Sequence, residues 1–146
     1  ALDFIHSDRS IFKIVDLDEA WAFLNVAQGE TLSNKLVRAG RAMNAGVYFV
    51  TQSSGDVSKE SLKKNIGLKF AFRSTDTNEI KQTLEFFGLD SEDENNQKRL
   101  RDLENGQCLM QDLYGRVGVV QIHPVFVELL HAFDTRPPIK SEVDLE

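Results

Sequence analysis

The sequence predicts an α/β fold, in which a mostly parallel sheet is flanked by helices and carries an antiparallel hairpin at its edge. Short apolar, β-branched runs alternate with segments whose apolar residues recur every three or four positions, the order expected when helices connect parallel strands. Two later extended runs are joined by only a few residues, which favours a hairpin. The chain has 146 residues, 41% of them hydrophobic, enough for one core.

The first strand is predicted in the apolar stretch from Ile11 to Val15, broken once by Lys13 and buried on most sides. The stretch then ends in two acids, Asp18 and Glu19. Ligands of such sheets meet the carboxyl ends of the strands, where one carboxylate can hold a metal ion while its neighbour acts on water. The same acids suit a helix N-terminus, where negative charge is favoured, so the pattern by itself leaves both interpretations open.

Two helices are predicted between the first and second strands. A short one continues from Trp21 and is closed by Gly29. A longer one covers about Thr31 to Asn44, with Thr31 or Ser33 as N-cap and Asn44 opening the stop signal.

Two further strands also end in polar side chains. The run 47–50 is followed by Thr51 and Gln52, and the run 68–72 is followed by Arg73. Because the carboxyl ends of parallel strands share one edge of a sheet, these groups and the two acids are predicted to converge on a single phosphate site.

Two helices are predicted around the third strand. A brief one, capped by Asp56, runs through Leu62. The other opens with a capping box made by Asp76 and Glu79 and ends at Gly88.

The last third of the chain completes the fold. Residues 91–105 predict a flexible lead and a solvated helix, and the runs 108–111 and 116–122 predict the hairpin. Val125, Leu129 and Phe133 share helical spacing and predict a last amphipathic helix.

Composition narrows the class of protein. The net charge of -6 disfavours a surface broadly adapted to nucleic acid. The single cysteine, Cys108, is read as a small core residue, and the three histidines lack the spacing of a zinc site. No run is long and apolar enough for a membrane span, so a cytoplasmic location is expected.

Several motifs together carry a resemblance to a known family. The acids, with the Ala and Trp that follow them, resemble the Walker B segment of P-loop NTPases. Further matching motifs are Arg38-Ala39-Gly40-Arg41, Asn44-Ala45-Gly46, Val50-Thr51-Gln52, Lys64-Asn65-Ile66, Leu103-Glu104-Asn105-Gly106 and Tyr114-Gly115-Arg116. The chain thereby resembles the second half of the motor domain of conjugative-transfer and type IV secretion ATPases, in the HerA and FtsK branch. The resemblance implies an incomplete RecA-like fold over residues 1–136. Pro137 and Pro138 predict that order ends there, which leaves a disordered tail at 137–146.

The resemblance implies a site for ATP and Mg²⁺. Asp18 would help to hold Mg²⁺ through its water shell, and Glu19 would polarise the attacking water. Gln52 would sense the γ-phosphate or position that water, and Thr51 would contribute to nucleotide binding. On residue chemistry alone, Gln52 could equally cap its own loop.

Two arginines are candidates for a charge supplied across a subunit interface. Arg73 is the first, and Arg116, also a candidate for contact with the nucleotide, is the second. A strand-end arginine more commonly forms a surface ion pair, for which Asp76 and Glu79 are near in sequence.

The phosphate-binding loop, Gly-x-x-x-x-Gly-Lys-Ser/Thr, does not occur in this sequence. Since its backbone amides and lysine hold the phosphates, this chain is expected to be an inactive fragment of a longer protein. The resemblance also implies that a strand is missing between those ending at Thr51 and Arg73. Exposed strand edges favour new pairing, so rearranged strands, exchange between chains or a close dimer are expected.

By the resemblance, the parent protein would couple ATP hydrolysis to conjugative DNA transfer or type IV secretion. It would act as a hexamer with channel proteins as partners and DNA as a further candidate, and any attachment to the inner face of the membrane would be made through those partners. A FtsK- or HerA-like DNA translocase is the alternative within the superfamily. A catalytically silent assembly domain is the alternative of another class.

Overall fold

The computed structural model describes residues 8–57 and 63–132 and confirms the predicted α/β class. The elements are, in order, β1 (Lys13–Leu17), α1 (Ala20–Leu24), α2 (Ala27–Gly40), β2 (Ala45–Phe49), β3 (Lys69–Ala71), α3 (Thr77–Phe87), α4 (Glu94–Arg101), β4 (Gln107–Gln111), β5 (Val117–Gln121) and α5 (Val127–Ala132). Short 3-10 helices lie at Arg41–Met43 and Ser54–Val57.

The described strands form two sheets. β1 and β2 pair in parallel, with Val15 opposite Val47. β3, β4 and β5 form an antiparallel sheet in that order, and its last two strands are the predicted hairpin. β2 and β3 each lie at the edge of their own sheet, so the expected rearrangement of strand pairing within the chain is wrong. Exchange between chains and a dimer remain predictions.

One apolar cluster holds the described elements together. It is formed by buried side chains from α1, α3, α4, β4 and the segment after α4: Ala20, Leu24, Ile80, Leu84, Phe86, Phe87, Leu100, Leu103 and Leu109. Leu17 at the end of β1 and Phe49 at the end of β2 pack against it. Since each fully buried leucine or phenylalanine stabilises the fold by about 1.5–3 kcal/mol, this cluster fixes both strand ends relative to α3.

Only alternate residues of β1 face the interior, so the predicted burial on most sides is wrong. The Ile14 side chain is 52% exposed, whereas Lys13 is only 3% exposed. The Lys13 ammonium donates to the backbone oxygens of Asp8 and Met43, at 2.7 and 3.1 Å, which satisfies the buried charge. Burial alternates along β1, so Lys13 and Ile14 lie on opposite faces of the strand and Ile14 is on the exposed one.

The two helices after β1 begin earlier than predicted. α2 starts at Ala27, so Gly29 does not end a helix, and Thr31 and Ser33 lie inside α2 and not at its N-cap. A glycine inside a helix costs only about 1 kcal/mol, which packing of the helix can override. α2 also ends earlier than predicted, at Gly40, and the 3-10 helix Arg41–Met43 follows it. Asn44 closes that 3-10 helix with a left-handed φ of +52°, so the stop signal itself is confirmed.

The predictions for the cap and the end of α3, for the solvated helix and for Cys108 are confirmed. Asp76 caps α3 and Gly88 ends it with a left-handed φ of +74°. The solvated helix corresponds to α4. Cys108 is fully buried, and that burial raises the pKa of its thiol.

Some predictions fall partly outside the described residues. The brief helix through Leu62 falls mainly on residues 58–62, which are not described; Lys63 after them is helical, and the 3-10 helix Ser54–Val57 before them begins ahead of the predicted cap Asp56. The last helix includes Leu129 and is exposed along its length, while Phe133 and the tail are not described. No helix within residues 8–57 and 63–132 has the length and hydropathy needed to cross a bilayer.

Gly40 is required by the close approach of α2 to β2. A Cβ atom added there would lie 2.7 Å from the backbone oxygen of Ala45, which cannot move without shifting the strand. We expect Gly40→Ala to lower the free energy of unfolding by roughly 1–3 kcal/mol in urea titrations. Gly118→Ala is the control, because a Cβ at Gly118 meets no atom within 4 Å. Equal stability of the two variants would contradict this account.

The lowered pKa of Lys69 predicts that the free energy of unfolding depends on pH. Burial, and then the nearby charge of Lys63, lower the pKa of Lys69 from its ordinary value of 10.5, although its ammonium donates to the Phe86 oxygen at 2.7 Å. Above the lowered pKa the unfolded chain binds more protons than the folded one, so stability rises with pH up to 10.5. The free energy of unfolding of the natural chain minus that of Lys69→Met, both from urea titrations, should show this rise with pH. Parallel pH profiles for the two proteins would refute it.

Candidate functional site

Backbone hydrogen bonds extend the parallel pairing beyond the ends of β1 and β2. The Val50 N–H donates to the Leu17 oxygen at 3.0 Å, and the Ala20 N–H donates to the Val50 oxygen at 2.9 Å. The residues after each strand, 18–19 and 51–52, are therefore held side by side at the carboxyl edge. This is the edge where ligands of parallel sheets are expected.

Glu19 and Gln52 meet directly at this edge, as predicted. The Gln52 side-chain amide donates to Glu19 Oε1 at 2.8 Å, and the Trp21 indole N–H donates to Glu19 Oε2 at 2.6 Å. One donor on each oxygen fixes the orientation of the carboxylate and leaves further lone pairs for a water molecule. The Glu19 side chain is exposed, so such a water can reach it.

Trp21 is a further candidate site residue, which the sequence pattern indicates only through the family resemblance. It is the chain's single tryptophan and follows the two acids closely. Its side chain is 45% exposed, so packing alone does not explain its place. The contact with Glu19 depends on the turn into α1, which spacing along the sequence does not reveal.

Glu19 also has an unusual backbone. Its φ is +51°, a left-handed conformation that costs a residue with a Cβ roughly 1–2 kcal/mol. The turn directs the Glu19 side chain back toward Gln52 while the chain enters α1. Strain of this kind is characteristic of functional sites.

Asp18 has the chemistry of a Mg²⁺ ligand. Its Oδ1 accepts the Glu19 N–H at 2.9 Å, and its Oδ2 accepts no hydrogen bond from the described residues. The side chain is exposed at the strand end. Mg²⁺ commonly takes one or two carboxylates and fills its other positions with water and phosphate oxygens, so Asp18 fits this ion.

The loop after Gln52 is held by α3. The Ser54 N–H and the Ser53 hydroxyl donate to the two oxygens of Glu79, at 2.7 and 2.9 Å. The predicted capping box is therefore half wrong: Asp76 accepts from the Glu79 N–H at 2.8 Å, but the Glu79 carboxylate binds the loop instead of Asp76. Thr51 takes part in the same turn, because its hydroxyl oxygen accepts the Ser53 N–H at 3.4 Å.

Among the described residues, neither arginine candidate hydrogen-bonds to Glu19 or Gln52. β3, which Arg73 follows, belongs to the antiparallel sheet, so the prediction that all three strand ends share one edge is wrong. Arg73 is exposed after β3 and forms no ion pair with a described residue, so the alternative pairing with Asp76 or Glu79 is wrong. Arg116 lies in the hairpin turn, where it donates to Asp112 Oδ2 at 2.6 Å and stacks on the Tyr114 ring.

The fold is similar to that of P-loop NTPases. The chain belongs to the AAA-like domain family, which matches residues 1–133. It is 34% identical over 119 residues to the protein YddE of Bacillus subtilis (strain 168), covering 82% of this chain but 14% of YddE.

A solved structure supports the fold. The genome packaging NTPase B204 from Sulfolobus turreted icosahedral virus 2, in complex with ATP-gammaS, matches with a TM-score of 0.59 and 16% identity. The match covers 76% of this chain and 52% of that one. The chain thus spans only part of both proteins.

The left-handed turn at Glu19 can be tested by two substitutions that remove the same carboxylate. Glu19→Gly should be more stable than Glu19→Ala by about 1 kcal/mol, because only glycine adopts this φ without steric cost. At Glu85, inside α3, the order should reverse, since alanine favours a helix by about 1 kcal/mol. Urea unfolding of the four variants decides, and a more stable alanine variant at both positions would contradict the strain.

Proposed function

We propose that this chain is the C-terminal half of the motor domain of an ATPase that powers conjugative DNA transfer or type IV secretion. The observation that carries the proposal is the contact between Glu19 and Gln52 at the joined ends of two parallel strands, with Asp18 beside it. An acid, an amide and a carboxylate suited to Mg²⁺ at one edge are among the groups that nucleotide hydrolysis uses. The family resemblance supplies the transport role.

In this proposal each side chain has a chemical task. Asp18 helps to hold Mg²⁺, whose charge would stabilise the phosphates when it is bound. Glu19 accepts a hydrogen bond from the attacking water and thereby polarises it. Gln52 senses the γ-phosphate and, through its contact with Glu19, links that sensing to the position of the water. Thr51 contributes to nucleotide binding from the same loop.

A positive charge for the site is proposed to come from an arginine that lies outside the Glu19–Gln52 pair. Arg73 is exposed and has no anionic partner among the described residues, which suits a group that acts on a neighbouring subunit of a hexamer. Arg116 is the less available candidate, because Asp112 already neutralises it. The Arg116–Asp112 ion pair is exposed, so the preference for Arg73 rests on the geometry of these contacts and not on a difference in energy.

Nucleotide binding by the whole protein needs groups that this sequence does not carry. Backbone amides and a lysine of a phosphate-binding loop would come from the rest of the polypeptide, since the chain spans 14% of the length of YddE. The 146 residues alone are proposed to be inactive. We place the parent in the cytoplasm, with secretion-channel proteins as its partners.

The test is ATP hydrolysis by the full-length protein and its Glu19→Gln variant. Glutamine keeps the size of the side chain but removes the negative charge, so turnover should fall about 10²-fold or more. Nucleotide binding, measured with a fluorescent ATP analogue, should change little because Glu19 acts on water.

Glu128→Gln provides the control, since Glu128 is exposed in α5 and far along the chain from the strand ends. It should hydrolyse ATP at the natural rate. Equal turnover by the natural protein and by Glu19→Gln would refute the catalytic role of Glu19. The absence of hydrolysis by the natural full-length protein would instead favour a silent assembly domain.

A further inference from the structure

Glu79 lies in the first turn of α3, but its carboxylate binds the loop that follows β2. Ser54 donates its N–H to Oε1 at 2.7 Å, and Ser53 donates its hydroxyl to Oε2 at 2.9 Å. These two residues come directly after Gln52. A single carboxylate on α3 therefore holds the backbone and the side chain next to Gln52.

Thr83, one turn further along α3, completes the network. Its hydroxyl lies 3.1 Å from Ser54 Oγ and 3.4 Å from Glu79 Oε1. Thr83 is 4% exposed, and Glu79 and both serines are half-buried. Hydrogen bonds in such surroundings are costly to lose, because the remaining polar groups would be left without partners.

Capping of α3 does not account for this use of Glu79. Asp76 supplies the cap, and the Asp76 N–H donates to Ser74 Oγ at 3.3 Å and not to Glu79. Among the described residues no cation forms an ion pair with Glu79 either. Its carboxylate is thus committed to residues that are 25 and 26 positions away in sequence.

α3 anchors this network in the core. Glu79 lies in its first turn, and the buried Ile80 and Leu84 that follow belong to the core. Close packing restricts the movement of these residues, so the Glu79 carboxylate is held from a fixed base.

We propose that Glu79 is a positioning residue for ATP hydrolysis, which holds the loop of Gln52 so that its side-chain amide stays against Glu19. This inference rests on the proposed function.

The experiment is a double-mutant cycle on ATP turnover by the full-length protein, using Glu79→Gln, Gln52→Ala and both together. The glutamine amide group cannot accept the hydrogen bond that one carboxylate oxygen accepts now, so kcat should fall about 10-fold or more. The KM for ATP should change less than about twofold. In the Gln52→Ala background, Glu79→Gln should add less than about a twofold loss, because its effect passes through Gln52.

Two further variants make the result specific. Glu85→Gln changes an exposed acid on the same helix and should keep the natural kcat. Ser53→Ala removes one donor to Glu79 without altering α3, and it should reproduce part of the loss. Ser53→Ala also gives the answer if Glu79→Gln fails to fold.

Each contrary outcome has a definite meaning. A natural kcat in both Glu79→Gln and Ser53→Ala, with turnover lost in Gln52→Ala, would overturn this inference alone. Losses that multiply in the double variant would also overturn it, since Glu79 would then act independently of Gln52. Full turnover by Gln52→Ala would overturn both this inference and the sensor role in the proposed function.

Discussion

The parallel pairing of β1 with β2 is the constraint on which the site depends. Its register places Leu17 opposite Phe49, and two more backbone hydrogen bonds carry the pairing to Ala20 and Val50. A shift of one residue would turn the side chains of a strand to the other face and separate Glu19 from Gln52. Both strand ends pack on the same core, so the register is fixed by burial as well as by hydrogen bonds.

The site combines a rigid base with exposed functional groups. Backbone bonds and apolar contacts lie beneath it, while Asp18, Glu19 and Gln52 face solvent. Solvent access suits groups that would have to meet water and a nucleotide. The left-handed turn at Glu19 is unfavourable locally, and the surrounding pairing and the contacts to Trp21 and Gln52 maintain it.

The loop after β2 is held by α3, although no strand of one sheet pairs with a strand of the other among the described residues. β2 and β3 are each at the edge of their own sheet, yet the loop after β2 is bonded to the helix that follows β3. An ionised carboxylate suits this link, because it accepts from several donors at once and its bonds are stronger than those between neutral groups. Of the groups expected at one sheet edge, Asp18, Glu19 and Gln52 thus meet through strand pairing, whereas Arg73 follows a strand of the other sheet.

The sequence by itself determined the α/β class, the hairpin, the cap of α3 and the stop at Asn44, because these follow from local periodicity and turn chemistry. It also brought Asp18, Glu19 and Gln52 together, because acids and amides at the ends of parallel strands share one edge. Tertiary structure alone decided the exposure of Ile14, the start of α2 at Ala27 and the contact of Trp21 with Glu19. It also directed Glu79 to the Ser53 loop. Those outcomes depend on which side chains are near in space, and a residue 25 positions away along the chain leaves no local signal for such a contact.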